Sequence, residues 1–241
     1  MKYYYDLHTH SCLSPCADNG NTPCDLLGMA SISGINILAL TDHNSTLNCP
    51  AFMTAAKNYG IVAVPGMELT TSEDIHVVCL FKTLDDAMRF GEYVNGHRLL
   101  FENRPDIFGE QLILDENDCK IGEEKHLLPN ATNISIEDVY AVVDDFGGVC
   151  YPAHIDRPSN SVMAILGTFP THLPFHCFEV RDERNINYYV ENYSLDGKIP
   201  IVSSDAHYLS DIRDGKNYFE FDDDADDDAI RMALIKLLRG D

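Results

Sequence analysis

The sequence predicts an α/β fold in which a parallel sheet closes into a barrel. Apolar, β-branched runs alternate with helix signals, and roughly seven or eight such units fit into 241 residues. Side chains of the kinds that bind metals recur where these runs end. With this many units and no clear sheet edge, closure into a barrel is favoured over an open doubly wound sheet. A Gly-x-Gly-x-x-Gly fingerprint does not follow the first strand, which disfavours a dinucleotide-binding fold.

The strands are predicted from short apolar runs bounded by turn-forming residues. In chain order they cover residues 3–7, 35–40, 61–64, 77–81, 149–151, 178–181, 199–203 and 218–221.

The helices are predicted from their capping residues. Thr22, Thr83 and Ser135 are candidate N-caps, because an aspartate follows each of them three residues later. A further helix from about residue 50 should stop at Gly60, and the last helix should begin near Asp226. Residues 97–134 break the alternation, so we predict one domain over residues 1–241 with an inserted segment, a hairpin with a short helix.

Composition limits the classes of function. Hydrophobic residues make up 45% of the chain, which is enough for a core. Apolar runs stay well below ~18 residues, so we expect no membrane span, and the N-terminus lacks the pattern of a secretory leader. Eight cysteines without a C-x-x-C pair favour a reduced, cytoplasmic protein.

The charge balance is strongly acidic, with 17 Lys and Arg against 39 Asp and Glu and a formal net charge of −22. Proteins that follow a nucleic-acid backbone carry a basic stripe, so a long nucleic acid is disfavoured and a small phosphorylated substrate is expected. The acidic run at residues 222–228 is interpreted as a solvated helix start. The oligomeric state is not predicted.

A set of histidines and carboxylates lies at the predicted strand ends, and six of the ten histidines belong to it. Each residue taken alone has an ordinary explanation, such as a turn residue or a histidine at the end of a strand. Together they predict two or three divalent ions, zinc, manganese or iron, because imidazole and carboxylate suit these metals and carboxylates bridge ion pairs. The candidate ligands are His8, His10, Asp18, His43, Glu68, His76, His154, Asp205 and His207.

The order of these motifs resembles the PHP (polymerase and histidinol phosphatase) family, in its branch of small metal-dependent phosphoesterases. The motifs are Asp6-x-His8-x-His10, Thr41-Asp42-His43, Gly66-x-Glu68, a strand-borne His76, Ala153-His154 and Ser204-Asp205-Ala206-His207. The resemblance implies a distorted TIM-like (β/α)7 barrel with a trinuclear metal centre, and hydrolysis of phosphate esters.

The resemblance also implies how the ligands are shared among three subsites. His8, His10, Glu68 and Asp205 would hold the first ion, and Glu68, His76 and His154 the second. Asp18, His43 and His207 would hold the third, with Cys16 as the rival to Asp18. Asp6 and Asp42 would orient the histidines.

The resulting hypothesis is a metal-dependent phosphoesterase that hydrolyses a phosphomonoester, a nucleoside phosphate or a bisphosphate through a metal-bridging hydroxide. Arg157 would bind a phosphate oxygen, unless it forms a surface ion pair with Asp156. Asp205 or His207 would protonate the leaving group, and Arg181 and Arg184 are further candidates for anion binding. Two alternatives remain: an amidohydrolase-like enzyme that cleaves carbon–nitrogen bonds, and a non-catalytic metal-binding regulatory domain.

Overall fold

The structure is a computed structural model that describes residues 1–222 and 225–241. Two aspartates of the acidic run, at positions 223 and 224, lie outside the described residues. The described strands are β1 (Lys2–Thr9), β2 (Ile37–Leu40), β3 (Val62–Thr70), β4 (His76–Leu80), β5 (Leu112–Leu114), β6 (Lys120–Glu123), β7 (Val149–Pro152), β8 (Cys177–Val180), β9 (Ile199–Val202) and β10 (Tyr218–Glu220). The described helices are α1 (Pro23–Ile32), α2 (Cys49–Ala55), α3 (Leu84–Asn95), α4 (Pro105–Phe108), α5 (Ile136–Asp145), α6 (Val162–Leu166), α7 (Ile186–Tyr193) and α8 (Asp227–Arg239).

The predicted caps form the starts of three helices. The hydroxyl oxygens of Thr22, Thr83 and Ser135 accept hydrogen bonds from the backbone N–H three residues later, at 3.2, 3.1 and 3.2 Å. Each bond satisfies one of the backbone donors that a helix leaves unpaired in its first turn. Asp226 caps α8 in the same way, so the acidic residues beside it begin a helix as expected.

The main sheet has the order β10-β1-β2-β3-β4-β7. Strands β1, β2 and β3 are parallel, whereas β4 is antiparallel to both of its neighbours. The expectation of an all-parallel sheet is wrong here, because residues 71–75 are too few for a crossover and allow only a hairpin turn. At the other edge, β10 pairs antiparallel with β1 instead of adding a barrel unit.

The parallel pair β8-β9 continues the curl of this sheet towards β1. An Ile155 N–H to Glu179 O bond connects the ends of β7 and β8. A parallel bridge between Thr9 and Ala206 connects the ends of β1 and β9. The α/β class and the TIM-like architecture are therefore confirmed, and the number of seven units stays a prediction.

Helix α8 closes the amino-terminal end of the barrel. Its apolar residues, among them Ile230, Leu234 and Leu238, are buried against the interior side chains of the sheet. Its two arginines bind carbonyl groups at the beginnings of strands: Arg231 contacts Ala63 O and Arg239 contacts Gly148 O. The loops that follow the parallel strands lie at the opposite, carboxyl-terminal end of the barrel. Within the described ranges, no helix combines the length and apolar character needed to cross a membrane.

Residues 97–134 contain the short helix α4 and the β5-β6 hairpin. The segment packs beside the open end of the barrel. Leu112 N donates to Cys12 O at 2.9 Å in the loop after β1, and the Asn44 side chain donates to Leu128 O at 2.7 Å. The insertion therefore lies along the rim formed by the loops after β1 and β2.

Candidate metal centre

Donor side chains gather at the carboxyl end of the barrel. His8 lies near the end of β1 and His10 follows it, so strand alternation turns both to the same side. Glu68 lies in the last third of β3, and His76 begins β4, whose reversed direction places it at the same end. The loops after β2, β7 and β9 contribute His43, His154, Asp205 and His207.

Glu68 is the carboxylate at the centre of this group, with 0% of its surface exposed. One buried carboxylate among so many imidazoles is typical of a ligand shared between cations. The imidazole nitrogens nearest to its two oxygens are His76 Nδ1 at 2.8 Å, His154 Nε2 at 2.9 Å, His43 Nδ1 at 2.9 Å, His8 Nε2 at 3.3 Å and His10 Nε2 at 3.3 Å.

The His8 ring is held by a second buried carboxylate, Glu179, which lies in β8. Glu179 Oε1 and Oε2 lie 2.9 and 3.2 Å from His8 Nδ1, and Oε1 also accepts the His154 N–H at 2.9 Å. A carboxylate can only accept, so His8 Nδ1 carries the proton. When the ring is neutral, His8 Nε2 therefore presents a lone pair to the cluster.

A hydroxyl relay holds the His10 ring in the same tautomer. Ser14 Oγ donates its proton to Asp42 Oδ1 at 2.7 Å and lies 3.0 Å from His10 Nδ1. Because the hydroxyl proton of Ser14 is used in the bond to Asp42, the Ser14 oxygen can only accept a hydrogen bond from His10 Nδ1–H. Asp42 thus orients a histidine as expected, through Ser14. Asp6 instead accepts the backbone N–H groups of His8 and Ser204, so it fixes the backbone rather than a ring.

The donor set fits divalent cations. His8 Nε2 and His10 Nε2 lie 3.2 Å apart, so with both Nδ1 atoms protonated either a proton or a cation must lie between them. Glu68 Oε2 and Asp205 Oδ1 are buried without a hydrogen-bond partner. Each such atom costs about 1–3 kcal/mol when it is left unpaired. Bound cations would relieve all of these costs at once.

Three groups of donors overlap, and within each group the ligand atoms lie within 4.8 Å of one another. The first is the set implied by the family resemblance for the first ion. The second group shares Glu68 and His76 with the set implied for the second ion. His154, the remaining residue of that set, lies against the same Glu68 oxygen as His76. The assignment of ligands to single ions stays a prediction. The groups are His8, His10, Glu68 and Asp205; His43, Glu68 and His76; and His10, His43 and His207.

The structure does not bring Asp18 into these groups. Its Oδ1 accepts the Gly20 N–H at 2.7 Å and closes a local turn, so the carboxylate is engaged within its own exposed loop. The rival Cys16 is also absent from these groups, but despite desolvation His43 and His207 are near enough to its thiol to lower its pKa to about 5. The geometry therefore favours Cys16 over Asp18 beside the third group.

The buried cluster keeps several charges despite desolvation. Burial opposes protonation of His8, but Glu179 and Glu68 outweigh it and raise the pKa of His8 well above 6.5. Burial likewise opposes ionisation of Glu68, but His76, His8 and other imidazoles hold its pKa well below 4.5. For His76 burial wins and lowers the pKa to about 4. Cations entering this cluster must therefore displace protons.

Two of the donors follow strands in a strained backbone conformation. His154 has φ 30° and Asp205 has φ 53°, in the left-handed region that non-glycine residues rarely adopt. Such residues cost on the order of 1–3 kcal/mol and persist where the surroundings hold them. In both cases the strain accompanies a side chain that points into the donor cluster.

Arg157 and His207 border the cluster on the solvent side. Arg157 Nη1 donates to Asp205 Oδ2 at 2.9 Å, and this bond replaces the surface ion pair with Asp156 that the sequence allowed. The Asp156 carboxylate instead accepts backbone N–H groups of Arg181 and Asp182. His207 Nδ1 donates to the Asp205 carbonyl at 2.9 Å, which leaves His207 Nε2 as a lone-pair donor.

Sequence reasoning missed Glu179 and Ser14. Glu179 had a detectable signal, because a glutamate inside the apolar run CFEV must be paired if the strand is buried. Ser14 had none, because its role depends on His10 and Asp42 meeting it in space. Arg184, which the sequence ranked as a candidate for anion binding, pairs with its neighbour Asp182.

Comparison with known proteins identifies this arrangement. A model of the PHP domain matches residues 6–134, more than half of the chain. The chain belongs to the PHP family. The resemblance of its motifs to that family is thereby confirmed. Its cluster of histidines and carboxylates fits a metal site.

Three similar proteins show how far the likeness extends. A 5'-3' exoribonuclease of Haemophilus influenzae is 38% identical over 83 residues, which are 33% of this chain and 29% of that protein. The lesion-specific endonuclease PfuEndoQ from Pyrococcus furiosus has a TM-score of 0.68 at 19% identity, over 100% of this chain and 56% of the endonuclease. A protein from Bifidobacterium adolescentis, assigned provisionally as a metal-dependent phosphoesterase, has a TM-score of 0.59 at 17% identity, over 98% and 96% of the two chains.

The chain thus spans less than two thirds of the exoribonuclease and of the endonuclease. At these identities the two structural likenesses establish the PHP fold and not the substrate. The similar proteins include enzymes named for acting on nucleic acids and one named for phosphate esters, so the expectation that a long nucleic acid is disfavoured is not confirmed.

Proposed function

We propose that this PHP protein hydrolyses small phosphoric esters and depends on two or three divalent cations for it. The observation that carries the proposal is the convergence of five imidazoles on the buried carboxylate of Glu68. A structural site for a single ion needs about four ligands. The larger, overlapping donor set suits the paired cations of phosphoryl-transfer enzymes.

The donors would be divided among the cations in the overlapping groups already described, with Glu68 shared between two of them. Cations held there would acidify a bound water and neutralise charge on the phosphoryl oxygens. Zinc, manganese and iron all accept this mixture of imidazole and carboxylate. In the third group, Cys16 is proposed as the additional donor beside His43 and His207.

The side chains around the cluster suit the remaining tasks of the reaction. Arg157 uses Nη1 for Asp205, and its other guanidinium N–H groups are available for a phosphoryl oxygen. Despite burial, His8 and His10 lower the pKa of Asp205 far below its usual value. Asp205 is therefore ionised at neutral pH, which suits a metal ligand, whereas so low a pKa makes it a weak proton acceptor. His207 is thus preferred over Asp205 as the group that would protonate the leaving alkoxide.

The proposed substrates are a phosphomonoester, a nucleoside phosphate or a bisphosphate. The net charge of −22 supports a short substrate, since a long polyanion would be repelled from most of the surface. The likeness to an exoribonuclease over 83 residues supports keeping oligonucleotides in any substrate screen.

The test is a substrate panel on chelator-treated protein before and after addition of Mn²⁺ or Zn²⁺. The panel contains p-nitrophenyl phosphate, nucleoside monophosphates, a 5'-phosphorylated oligonucleotide, an amide and a lactone. The proposal expects turnover of phosphate esters only after metal is restored, and its loss in His10→Ala. His172→Ala is the matched control, because His172 is an exposed histidine paired with Glu137. Turnover of the amide alone, or of no compound, would overturn the proposal.

A further inference from the structure

A cavity of about 620 Å³ lies beside the donor cluster, within the size range of small-molecule sites. It follows the seam where β1 and β9 meet without ladder pairing in the described part of the chain. Residues of both strands line it, among them Tyr5 and Val202. Across this seam, the Leu7 N–H donates to Ser203 Oγ at 3.2 Å. The cavity therefore exists because a side chain, and not a strand pair, joins the two strands here.

The walls of this cavity concentrate basic residues in an acidic protein. Of the 17 Lys and Arg in the chain, five line it: Arg157, Arg181, Arg184, Arg213 and Lys216. Five acidic residues also line it, so basic and acidic residues are equal in number there although acidic residues dominate the chain by 39 to 17.

Most of the acidic groups in the wall are already engaged. Asp182 pairs with Arg184, and Glu183 pairs with Lys216. The carboxylate of Asp156 accepts two backbone N–H groups and one asparagine side-chain N–H. These contacts occupy the carboxylates without using Arg157, Arg181 or Arg213.

The other three arginines form a row that starts at the metal donors. Arg157 Nη1 lies 2.9 Å and Arg181 Nε lies 3.8 Å from Asp205 Oδ2. Arg181 Nε is buried and has no hydrogen-bond partner. Arg213 Nη1 donates to the Arg181 carbonyl at 2.7 Å, so its guanidinium is held against the Arg181 backbone in the same cavity wall. A substrate phosphate at the donor cluster would have Arg157 beside it and the Arg181–Arg213 pair further along the wall.

We propose that Arg181 and Arg213 bind a second phosphate of the substrate, while the first phosphate occupies the donor cluster. The planar guanidinium presents paired N–H groups that match a phosphate, and the Arg181 side chain is 40% exposed while its Nε lacks a hydrogen-bond partner. The inference rests on the proposed phosphoesterase function and selects, among its substrates, those with two phosphates. The second phosphate belongs either to a small bisphosphate or to the next link of an oligonucleotide.

The activity test uses alkane-α,ω-diol bisphosphates of two to six carbons, which vary the distance between the two phosphates. Each is compared with the alkyl monophosphate of equal length. The wild type should prefer the bisphosphate of the best length by at least about tenfold in kcat/KM, the factor expected for one charge-assisted hydrogen bond. In Arg213→Ala this ratio should fall towards one. In Arg104→Ala it should be kept, because Arg104 carries the same charge but lies in the insertion, paired with Asp106. A 5'-phosphorylated dinucleotide and its dephosphorylated form, run in parallel, show which source of second phosphate is preferred.

A binding test separates failure of this inference from failure of the proposed function. Alkane-α,ω-bisphosphonates cannot be hydrolysed, so their binding to the metal-loaded protein is measured by calorimetry whether or not any ester is turned over. Binding at least tenfold tighter than the matching monophosphonate, lost in Arg213→Ala and kept in Arg104→Ala, supports the second phosphate site. Equal binding of both probes by the wild type, or an unchanged preference in Arg213→Ala, overturns it.

Discussion

Replacing Glu179 with glutamine tests whether this buried carboxylate sets the metal affinity of His8. Glutamine keeps the volume of the side chain and an oxygen that can accept the His154 N–H, a bond of 2.9 Å in the wild type. With that oxygen in the place of Oε1, the amide NH₂ replaces Oε2, which lies 3.2 Å from His8 Nδ1, and the negative charge is removed. The fold should survive, and the basicity of the His8 ring should fall.

The expected magnitude follows from this geometry. Partners that orient a metal-binding histidine are worth roughly 10–100-fold in metal affinity, which corresponds to about 1.4–2.7 kcal/mol. Glu179 makes both contacts to His8 from a site with 0% exposure, so solvent cannot replace them. We therefore expect the metal affinity of the site that includes His8 to fall by roughly 10–100-fold.

The assay is competition for Zn²⁺ or Mn²⁺ against a chelator of known affinity, together with phosphate-ester turnover as metal is titrated. Glu179→Gln should need more metal for half-maximal rate and recover at high metal, which a folding defect would not do. Glu137→Gln is the control, because Glu137 holds His172 at 2.9 and 3.1 Å but on the exposed surface. Wild-type affinity in a folded Glu179→Gln protein would refute the reasoning.

Three further predictions follow from the same cluster. Glu68→Gln should lose at least two of the bound ions and reduce turnover by more than the 10–100-fold expected for a ligand-orienting residue; metal analysis and kinetics check this. Chelated protein should lose free energy of unfolding as pH rises above about 6.5, because despite burial Glu179 and Glu68 raise the pKa of His8 well above 6.5. The raised pKa of His43 is opposed by the lowered pKa of its partner Cys16, so these two contributions offset each other. Stability from a raised pKa is complete below 6.5 and is lost as pH passes the folded value; denaturant melts at several pH values measure it, and metal affinity should change in the opposite direction. Cys16 should be alkylated faster than the exposed Cys119 at neutral pH and be protected by added metal, because His43 and His207 outweigh desolvation and lower its pKa to about 5; mass spectrometry of the modified peptides distinguishes the two sites.

Much of the donor cluster was predictable because strand periodicity is local. His8 and His10 are two residues apart and share a face in any extended strand. The carboxyl ends of strands in a barrel meet at one end, so donors that follow different strands converge without knowledge of the loops. The helix starts at Thr22, Thr83 and Ser135 were predictable for the same reason, since a capping oxygen and the backbone N–H that donates to it lie within four residues.

Features that depend on the loops were not predictable. Asp18 was expected to be a ligand from its position before a helix, but the turn to Gly20 engages its carboxylate. Whether Cys16 or Asp18 points inward depends on the path of residues 11–21 over the rim, which periodicity does not determine. The antiparallel direction of β4 was missed because its apolar run has the same pattern in either direction. Only the short connection between β3 and β4 indicates a hairpin.

The row of arginines in the cavity was also hidden from the sequence. Arg157, Arg181 and Arg213 follow different elements and are separated by more than twenty residues each. They are close together because they lie along the seam between β1 and β9, and no local sequence pattern predicts that seam. Arg157 was recognised because it follows the donor His154 by three residues, and Arg181 was named as a further candidate for anion binding. Arg213 was not recognised.

The central claim is that these scattered imidazoles and carboxylates bind several cations at once. Equilibrium dialysis of the wild type against Mn²⁺ or Zn²⁺, followed by elemental mass spectrometry, tests it directly with His172→Ala as a matched histidine control. Two or three ions per chain in both proteins, falling to one or none in His10→Ala, is the predicted result. A wild type that binds no ion after dialysis, or His10→Ala with the full wild-type content, would contradict the claim.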